Sequence, residues 1–239
     1  MLDGTLVPPI VMAISDRTRL GADDDKTCGR VVQWAAAVAS AGVDLIQIRE
    51  RGLTDRRLQS LVSEVLEATR STNARVLVNE RTDVALAAGA SGVHLPSSSP
   101  PCGRVRELTP AGFIIGRSIH VTDQASLRDR EVSCDYLLFG TVFASSAKPH
   151  GQPLAGVAAL QAACDAATHP VLAIGGVDVA RTEEAALAGA AGIAAIGLFA
   201  DPLRDGDETG DAMTAVVAAV RQAFERGAKT RWTRVSDHR

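Results

Sequence analysis

A regular alternation of short apolar runs with longer alanine-rich segments limits, more than any other feature, how this chain can fold. The runs are mostly continuous in their apolar character and do not alternate with polar residues. Such continuous runs are typical of parallel strands that are covered on both faces. Eight runs predict strands, at residues 10–14, 43–49, 75–79, 91–95, 113–118, 135–140, 170–176 and 192–197.

The segments between these runs predict helices. They include residues 30–40, 55–69, 154–166 and 180–188, and several are followed by glycine, a common residue at helix C-termini. Repeated strand, loop and helix units predict an α/β protein with a single-domain (β/α)8 TIM barrel. An open, doubly wound parallel sheet is the alternative.

The length of 239 residues suits one barrel, because such barrels commonly use about 250 residues as a single unit. We expect the barrel to occupy residues 1–226. The last residues, 227–239, are rich in charge, and we expect them to form a mobile tail.

Composition narrows the class of partner. A net charge of −3 and a pI near 6.0 offer no broad attraction to nucleic acid. The apolar runs are far shorter than the roughly 20 residues that cross a bilayer, and the N-terminus lacks a signal pattern. We therefore expect a cytoplasmic protein that binds a small molecule and neither nucleic acid nor membrane, with a homo-oligomer left open.

Four cysteines are scattered along the chain without the CxxC spacing that zinc sites use. We expect four reduced thiols, and neither a metal site nor a cysteine nucleophile.

Polar residues follow several of the predicted strands. The C-terminal ends of barrel strands open onto one face, where catalysis takes place. We therefore expect these side chains to converge, with His120 as the acid and base near neutral pH. His94 lies within a run and is expected to be buried and hydrogen-bonded. The candidate site residues are Gln47, Arg49, Arg51, Asn79, Ser118, His120 and, in a long loop, Lys148.

Glycines close the last two runs, with Gly175 and Gly176 after the seventh and Gly197 after the eighth. Loops at these places bind phosphate in many barrels, because backbone N–H groups can approach its oxygens. We expect phosphate contacts from Gly175, Gly176, Gly197 and Leu198, with Arg49 and Lys148 near the ligand's anionic groups.

As an ordered set, five stretches resemble the thiamine phosphate synthase and TenI superfamily over residues 10–201. They are QIRER, NERTDVALAAGASGVHL, IIGRSIH, DYLLFGTVFASSAK, and AIGGV followed by AGAAGIAAIG. The resemblance implies a (β/α)8 barrel that binds a small phosphorylated thiazole.

Particular positions separate the branches of this superfamily. Synthases typically carry a lysine and two aspartates where this chain has Arg51, Glu80 and Ser98. Magnesium at a pyrophosphate needs oxygen ligands at close distances, so these changes weaken a synthase site, in which Glu80 would reach the metal only through water. The stretches RER, HLPSSS and GRSIH resemble the TenI branch, which includes thiazole tautomerases.

This resemblance implies a tautomerase that isomerises a carboxythiazole phosphate to its aromatic tautomer through His120, without a cofactor. Two alternatives stay open. One is a thiamine phosphate synthase that joins hydroxymethylpyrimidine diphosphate and thiazole phosphate with Mg²⁺. The other is a non-catalytic regulator or binder of a phosphorylated thiamin intermediate.

Overall fold

A computed structural model describes residues 6–21, 24–120, 133–144, 154–204, 206 and 210–236. Eight parallel strands close into a barrel, in which β8 pairs with β1. The predicted barrel is confirmed, and the open sheet is excluded. The strands are β1 Ile10–Ile14, β2 Leu45–Ile48, β3 Arg75–Asn79, β4 Gly92–Leu95, β5 Ile114–Ile119, β6 Tyr136–Gly140, β7 Val171–Ile174 and β8 Gly192–Ala195.

Helices surround the barrel and bury their apolar faces against its outer surface. In α3, for example, Leu58, Leu61, Val62 and Val65 are buried, and Thr54 caps the first turn by accepting from the Arg57 N–H. The helices are α1 Arg17–Leu20, α2 Asp24–Ser40, α3 Asp55–Thr69, α4 Thr82–Ala88, α5 Cys102–Arg106, α6 Gly156–Ala166, α7 Val179–Leu187, α8 Gly197–Arg204 and α9 Asp211–Ser236.

The barrel interior is a second, smaller apolar core. Its side chains alternate with outward-facing ones along each strand, so every second residue points to the axis. Tyr136 crosses this interior because β5 has a glycine beside it: a Cβ on Gly116 would lie 1.9 Å from the tyrosine ring. The interior residues are Ile10, Met12, Ile14, Leu45, Leu77, Ile114, Tyr136, Leu138, Leu172 and Ala194.

The expectation of a mobile tail from residue 227 differs from the structure, in which residues 227–236 continue α9. This helix packs along α7, and a Cβ on Gly227 would lie 2.3 Å from the Glu183 carbonyl oxygen. Arg231 donates to Asp165 at 3.0 Å. Residues 227–236 are therefore part of a helix that contacts α7.

The expectation of four reduced thiols is wrong for one pair. Cys102 on α5 and Cys134, just before β6, form a disulfide, with a Cα–Cα distance of 5.8 Å and a separation of 32 in sequence. The fold brings α5 beside the start of β6, which the scattered spacing does not reveal. Cys28 and Cys164 remain thiols.

Within the part of the chain that the structure describes, no helix has both the length and the apolar character that a membrane span requires.

Candidate active site

A cavity of about 900 Å³ opens at the C-terminal ends of the strands. Its volume lies within the usual range for small-molecule sites. Lys148 lies outside the described residues. The other ten candidates all line the cavity: Gln47, Arg49, Arg51, Asn79, Ser118, His120, Gly175, Gly176, Gly197 and Leu198.

Strand pleating explains why these polar side chains meet. Gln47 and Asn79 lie two residues beyond the interior residues Leu45 and Leu77, and Ser118 lies two beyond Gly116, so all three share the inward-facing parity. The intervening Arg117 faces outward. It is buried and donates to the carbonyls of the loop that follows β4, at Ser97, Ser99 and Pro100.

Gln47 forms part of the cavity floor. Its Nε2 donates to Asn79 Oδ1 at 2.8 Å, which fixes the orientation of both amides. The side chain is only 1% exposed, and its Oε1 has no hydrogen-bond partner among the described residues. A buried acceptor without a donor is costly, so this oxygen is suited to an N–H group of a ligand.

His94 is buried, as the sequence predicts, and forms part of the cavity lining. Its Nδ1 lies 2.8 Å from the Tyr136 hydroxyl, and its Nε2 lies 2.8 Å from Ser118 Oγ. Burial lowers the pKa of His94 to about 3, and the nearby Arg117 and Arg49 guanidiniums act in the same direction. The imidazole is therefore neutral at physiological pH and does not serve as a proton carrier.

His120 has the opposite setting, on the exposed wall of the cavity beyond the end of β5. Its Nδ1 lies 2.8 Å from the Gly140 carbonyl oxygen. Because a carbonyl oxygen only accepts, Nδ1 carries the hydrogen, and Nε2 is the basic nitrogen of the neutral ring. This is the orientation that a general base needs.

Two arginines crowd the end of β2. Burial, followed by the charge of Arg51, lowers the pKa of the Arg49 guanidinium, which still remains cationic at neutral pH. Their mutual repulsion favours an anion between or beside them. Asp16 and Glu50 supply part of this negative charge, because both carboxylates act to raise the pKa of Arg49. The buried Glu50 also accepts from the N–H of Arg17, the first residue of α1, at 3.1 Å. Burial raises the pKa of Glu50.

The glycines after β7 adopt left-handed backbone conformations, with φ of +96° at Gly175 and +62° at Gly176. Close packing also requires them: a Cβ would lie 2.4 Å from Thr141 Cγ2 at Gly175, and 2.4 Å from the Ala144 carbonyl oxygen at Gly176. Both glycines line the cavity, and so does Gly197, the first residue of α8. Their role towards a phosphate is an inference from this position.

Sequence reasoning missed two arginines of the cavity. Arg181 on α7 donates to the carbonyls of Gly176 at 2.6 Å and Ala144 at 3.0 Å, and thereby braces the glycine turn. Arg19 on α1 lies beside Gly197 and 3.7 Å from Asp201. The polar residues that follow the first strand, from Ser15 to Arg19, carried the same strand-end signal that identified the other candidates.

At the ends of β3 and β4, the two positions at which synthases typically carry aspartate hold one carboxylate, Glu80, and one hydroxyl, Ser98. Glu80 is exposed, has φ of +66° and lies outside the cavity lining, and Ser98 is also exposed. Asn79 already accepts from Gln47. Magnesium at a diphosphate is commonly held by one or two carboxylates together with phosphate oxygens and water, and Glu80 is the carboxylate that directly follows β3.

A closed barrel whose strand ends gather a histidine, arginines and glycine turns around one cavity has the architecture of a barrel enzyme for a small anionic ligand. The chain belongs to the TMP-TENI family, described as thiamine monophosphate synthase, whose model matches residues 20–199. The predicted superfamily is thus confirmed, and with it an enzyme of thiamin biosynthesis.

Individual relatives agree with this assignment. A thiamine-phosphate synthase of Methanoculleus marisnigri is 38% identical over 175 residues, which are 72% of this chain and 82% of that protein. A thiamine-phosphate synthase of Caldanaerobacter subterraneus is 32% identical over 218 residues, 90% of this chain and 95% of that protein. The structure of a thiamine phosphate pyrophosphorylase from Pyrococcus furiosus superposes with a TM-score of 0.71 at 25% identity and covers 91% of this chain and 96% of that one.

Proposed function

We propose that the protein is a TenI-type thiazole tautomerase, which isomerises a carboxythiazole phosphate to its aromatic tautomer. One observation carries the proposal. His120 lies on the cavity wall with its Nδ1–H held on the Gly140 carbonyl, so that Nε2 is the basic nitrogen. The reaction moves a proton between two carbons and makes the ring aromatic, and it needs an acid and base together with an anchor for phosphate.

In this reaction His120 Nε2 removes the proton from the first ring carbon. The electron pair of the broken C–H bond enters the conjugated system, and the imidazolium then returns a proton to the second carbon. Substrate and product have the same composition, so no further reactant is consumed. The Gly140 carbonyl stabilises the imidazolium through its hydrogen bond with Nδ1.

The substrate carries two anionic groups, a carboxylate and a phosphate, and a different part of the cavity would bind each of them. The arginine pair, Arg49 and Arg51, would hold the carboxylate and the negative charge that develops beside it. The sequence also predicts Lys148 as a member of this anion-binding set. The phosphate would accept from backbone N–H groups of the residues assigned to it above, Gly175, Gly176, Gly197 and Leu198.

Three polar groups on the cavity floor would orient the heterocycle. Ser118 offers a hydroxyl, and the Gln47 and Asn79 pair offers fixed amides, including the unpartnered Gln47 Oε1. Hydrogen bonds from fixed groups select one ring orientation and keep the reacting carbon beside His120.

Replacing His120 tests the proposal. His120→Gln keeps a polar side chain but cannot carry a proton, so turnover of the carboxythiazole phosphate should fall by about 10²- to 10⁴-fold. Affinity for the aromatic product should change little, because the anion contacts remain. Ultraviolet absorbance of the aromatic ring measures turnover, and calorimetry measures product binding. Undiminished turnover in this variant would refute the assignment.

A second candidate is thiamine-phosphate synthase, which the names of the relatives favour. The cavity volume leaves room for two substrates, and Gln47 Oε1 could accept from an N–H group of a pyrimidine. The test combines the protein with hydroxymethylpyrimidine diphosphate, thiazole phosphate and Mg²⁺ and measures pyrophosphate. Rapid pyrophosphate release that is indifferent to His120→Gln would favour this candidate over the tautomerase.

A further inference from the structure

A chain of three polar side chains runs from the barrel interior to the cavity. Tyr136 on β6, His94 on β4 and Ser118 on the intervening strand β5 are joined by two hydrogen bonds of 2.8 Å. Tyr136 is 0% exposed and His94 2%, and Ser118 is half-buried; His94 and Ser118 line the cavity, whereas Tyr136 lies outside its lining. These hydrogen bonds therefore connect the fully buried Tyr136 hydroxyl to the ligand site.

The direction of these hydrogen bonds follows from the phenol. Burial raises the pKa of Tyr136 well above its ordinary value, so its hydroxyl keeps a hydrogen that needs an acceptor. Of the atoms in the described residues, His94 Nδ1 is the hydrogen-bond partner of this hydroxyl. If the phenol donates to Nδ1, the hydrogen of the neutral imidazole must lie on Nε2.

The other two protonation states of His94 each leave the buried phenolic hydrogen of Tyr136 without an acceptor. An imidazole with its hydrogen on Nδ1 would donate to the phenolic oxygen and leave the phenolic hydrogen buried without an acceptor. A cationic imidazole has the same defect, and the pKa of His94 lies at about 3 because of its burial. The Nε2-protonated tautomer alone satisfies all three groups.

We propose that His94 and Tyr136 are positioning residues that turn the Ser118 hydroxyl into a fixed hydrogen-bond donor to the ligand. His94 Nε2–H donates to Ser118 Oγ, so the hydroxyl's own hydrogen is directed into the cavity. Its target is an acceptor atom of the ligand, and for the substrate class proposed above this is a carboxylate oxygen. The tautomer proposed for His94 does not depend on the proposed function. The identity of the ligand atom that accepts from Ser118 rests on that function.

The tautomer can be measured without any ligand. NMR of protein labelled with ¹⁵N-histidine distinguishes Nδ1–H from Nε2–H through the ring proton correlations, and His94→Asn assigns the signals of residue 94. We expect a neutral, Nε2-protonated ring that does not titrate between about pH 5 and pH 8. An Nδ1-protonated or cationic ring would overturn the proposal.

Tyr136→Phe then removes the phenolic hydroxyl while retaining the ring that fills the space beside Gly116. Both tautomers of His94 should become populated, and affinity for the aromatic carboxythiazole phosphate should fall by about fivefold. In a Ser118→Ala background the same substitution should change affinity by less than about twofold, because the group through which it acts is gone. An equal loss in both backgrounds would contradict the proposal.

Thr69→Val provides the matched control. Thr69 on α3 is also a buried hydroxyl, and it donates to the Val65 carbonyl at 2.9 Å, but it lies outside the cavity lining. This variant should leave both the His94 tautomer and ligand affinity unchanged. Failure of the wild-type protein to bind the probe would count against the proposed function alone, and the ligand-free NMR result would still decide the inference.

Discussion

At the scale of the residue, two histidines near the same cavity differ in what surrounds them. His94 is enclosed between Tyr136 and Ser118, whereas His120 stands on an exposed wall and meets the Gly140 carbonyl. Burial disfavours the charged form of an imidazole, so the first histidine is restricted to hydrogen bonding. The proton transfer proposed above is assigned to His120. Both lie at inward-facing positions, and their different roles come from depth in the barrel.

The low pKa of His94 makes stability depend on pH. In the unfolded chain this histidine has an ordinary pKa near 6.5, so below that pH the unfolded state binds a proton that the folded state refuses. The contribution of the neutral His94 to the free energy of unfolding is fully present above pH 6.5, and it is lost as the pH falls from there towards 3. We expect the free energy of unfolding to drop by about 2 kcal/mol between pH 8 and pH 5 from this residue.

Urea unfolding at several pH values measures this loss. His94→Gln removes the titrating ring, so its stability should be lower at pH 8 but should fall less steeply on acidification. Burial raises the pKa of Glu50, so the contribution of this residue to the free energy of unfolding increases on acidification. The effect is the same in both proteins and therefore cancels when they are compared. Equal slopes for the two proteins would show that His94 becomes protonated in the fold.

At the scale of the element, the turns after the strands are held by side chains from other parts of the chain. Arg117 on β5 holds the loop after β4, and Arg181 on α7 holds the turns after β6 and β7. A guanidinium suits this task because its several donors can bind two carbonyl oxygens at once. The cavity wall therefore depends on contacts between elements that are distant in sequence.

Arg181→Lys should loosen the glycine turn without removing charge. In the wild-type protein the planar guanidinium lies 5.5 Å from the centre of the Phe143 ring while its Nη1 donates to both Gly176 and Ala144, and a lysine ammonium lacks this plane; we therefore expect affinity for the phosphorylated ligand to fall by about tenfold, with the fold retained. Calorimetry with the aromatic carboxythiazole phosphate measures the loss. Arg104→Lys, which alters an exposed pair with Glu107 on α5, is the control and should bind normally.

The element scale also shows what the sequence could predict. Strand order and the strand-end residues follow from local patterns, because an apolar run and the polar residues after it are adjacent in sequence. Arg117 and Arg181 could not be assigned in this way, since whether an arginine faces a ligand or a carbonyl depends on strand parity and on partners far along the chain. The pairing of Cys102 with Cys134 and the helical state of residues 227–236 depend on such contacts too.

At the scale of the whole molecule, hydrogen bonds join the last helix to the segments that precede β1 and β2. Arg221 on α9 donates to the Pro9 carbonyl at 3.1 Å, to the Gly42 carbonyl at 2.6 Å and to Asp44 at 3.0 Å. Asp44 in turn accepts from the Val11 N–H at 2.7 Å. One partly buried guanidinium therefore links three segments at the N-terminal end of the barrel.

Arg221→Ala should destabilise the protein by about 1–3 kcal/mol, because the carbonyls of Pro9 and Gly42 lose the guanidinium as a donor and Asp44 keeps only its bond from the Val11 N–H. Urea unfolding measures the change. Arg226→Ala on the same helix is the matched control: it removes an exposed pair with Glu183, and such pairs contribute less than about 1 kcal/mol. Similar losses in the two variants would argue against a fastening role for Arg221.

Closure of the sheet has a consequence for how copies of this chain meet. Since β8 pairs with β1, each of the eight described strands has a neighbour on both sides. Within the described part of the chain, the barrel therefore presents no open strand edge onto which a strand of another molecule could be added, the route by which many β-proteins aggregate. Contacts between copies are left to the surrounding helices and loops.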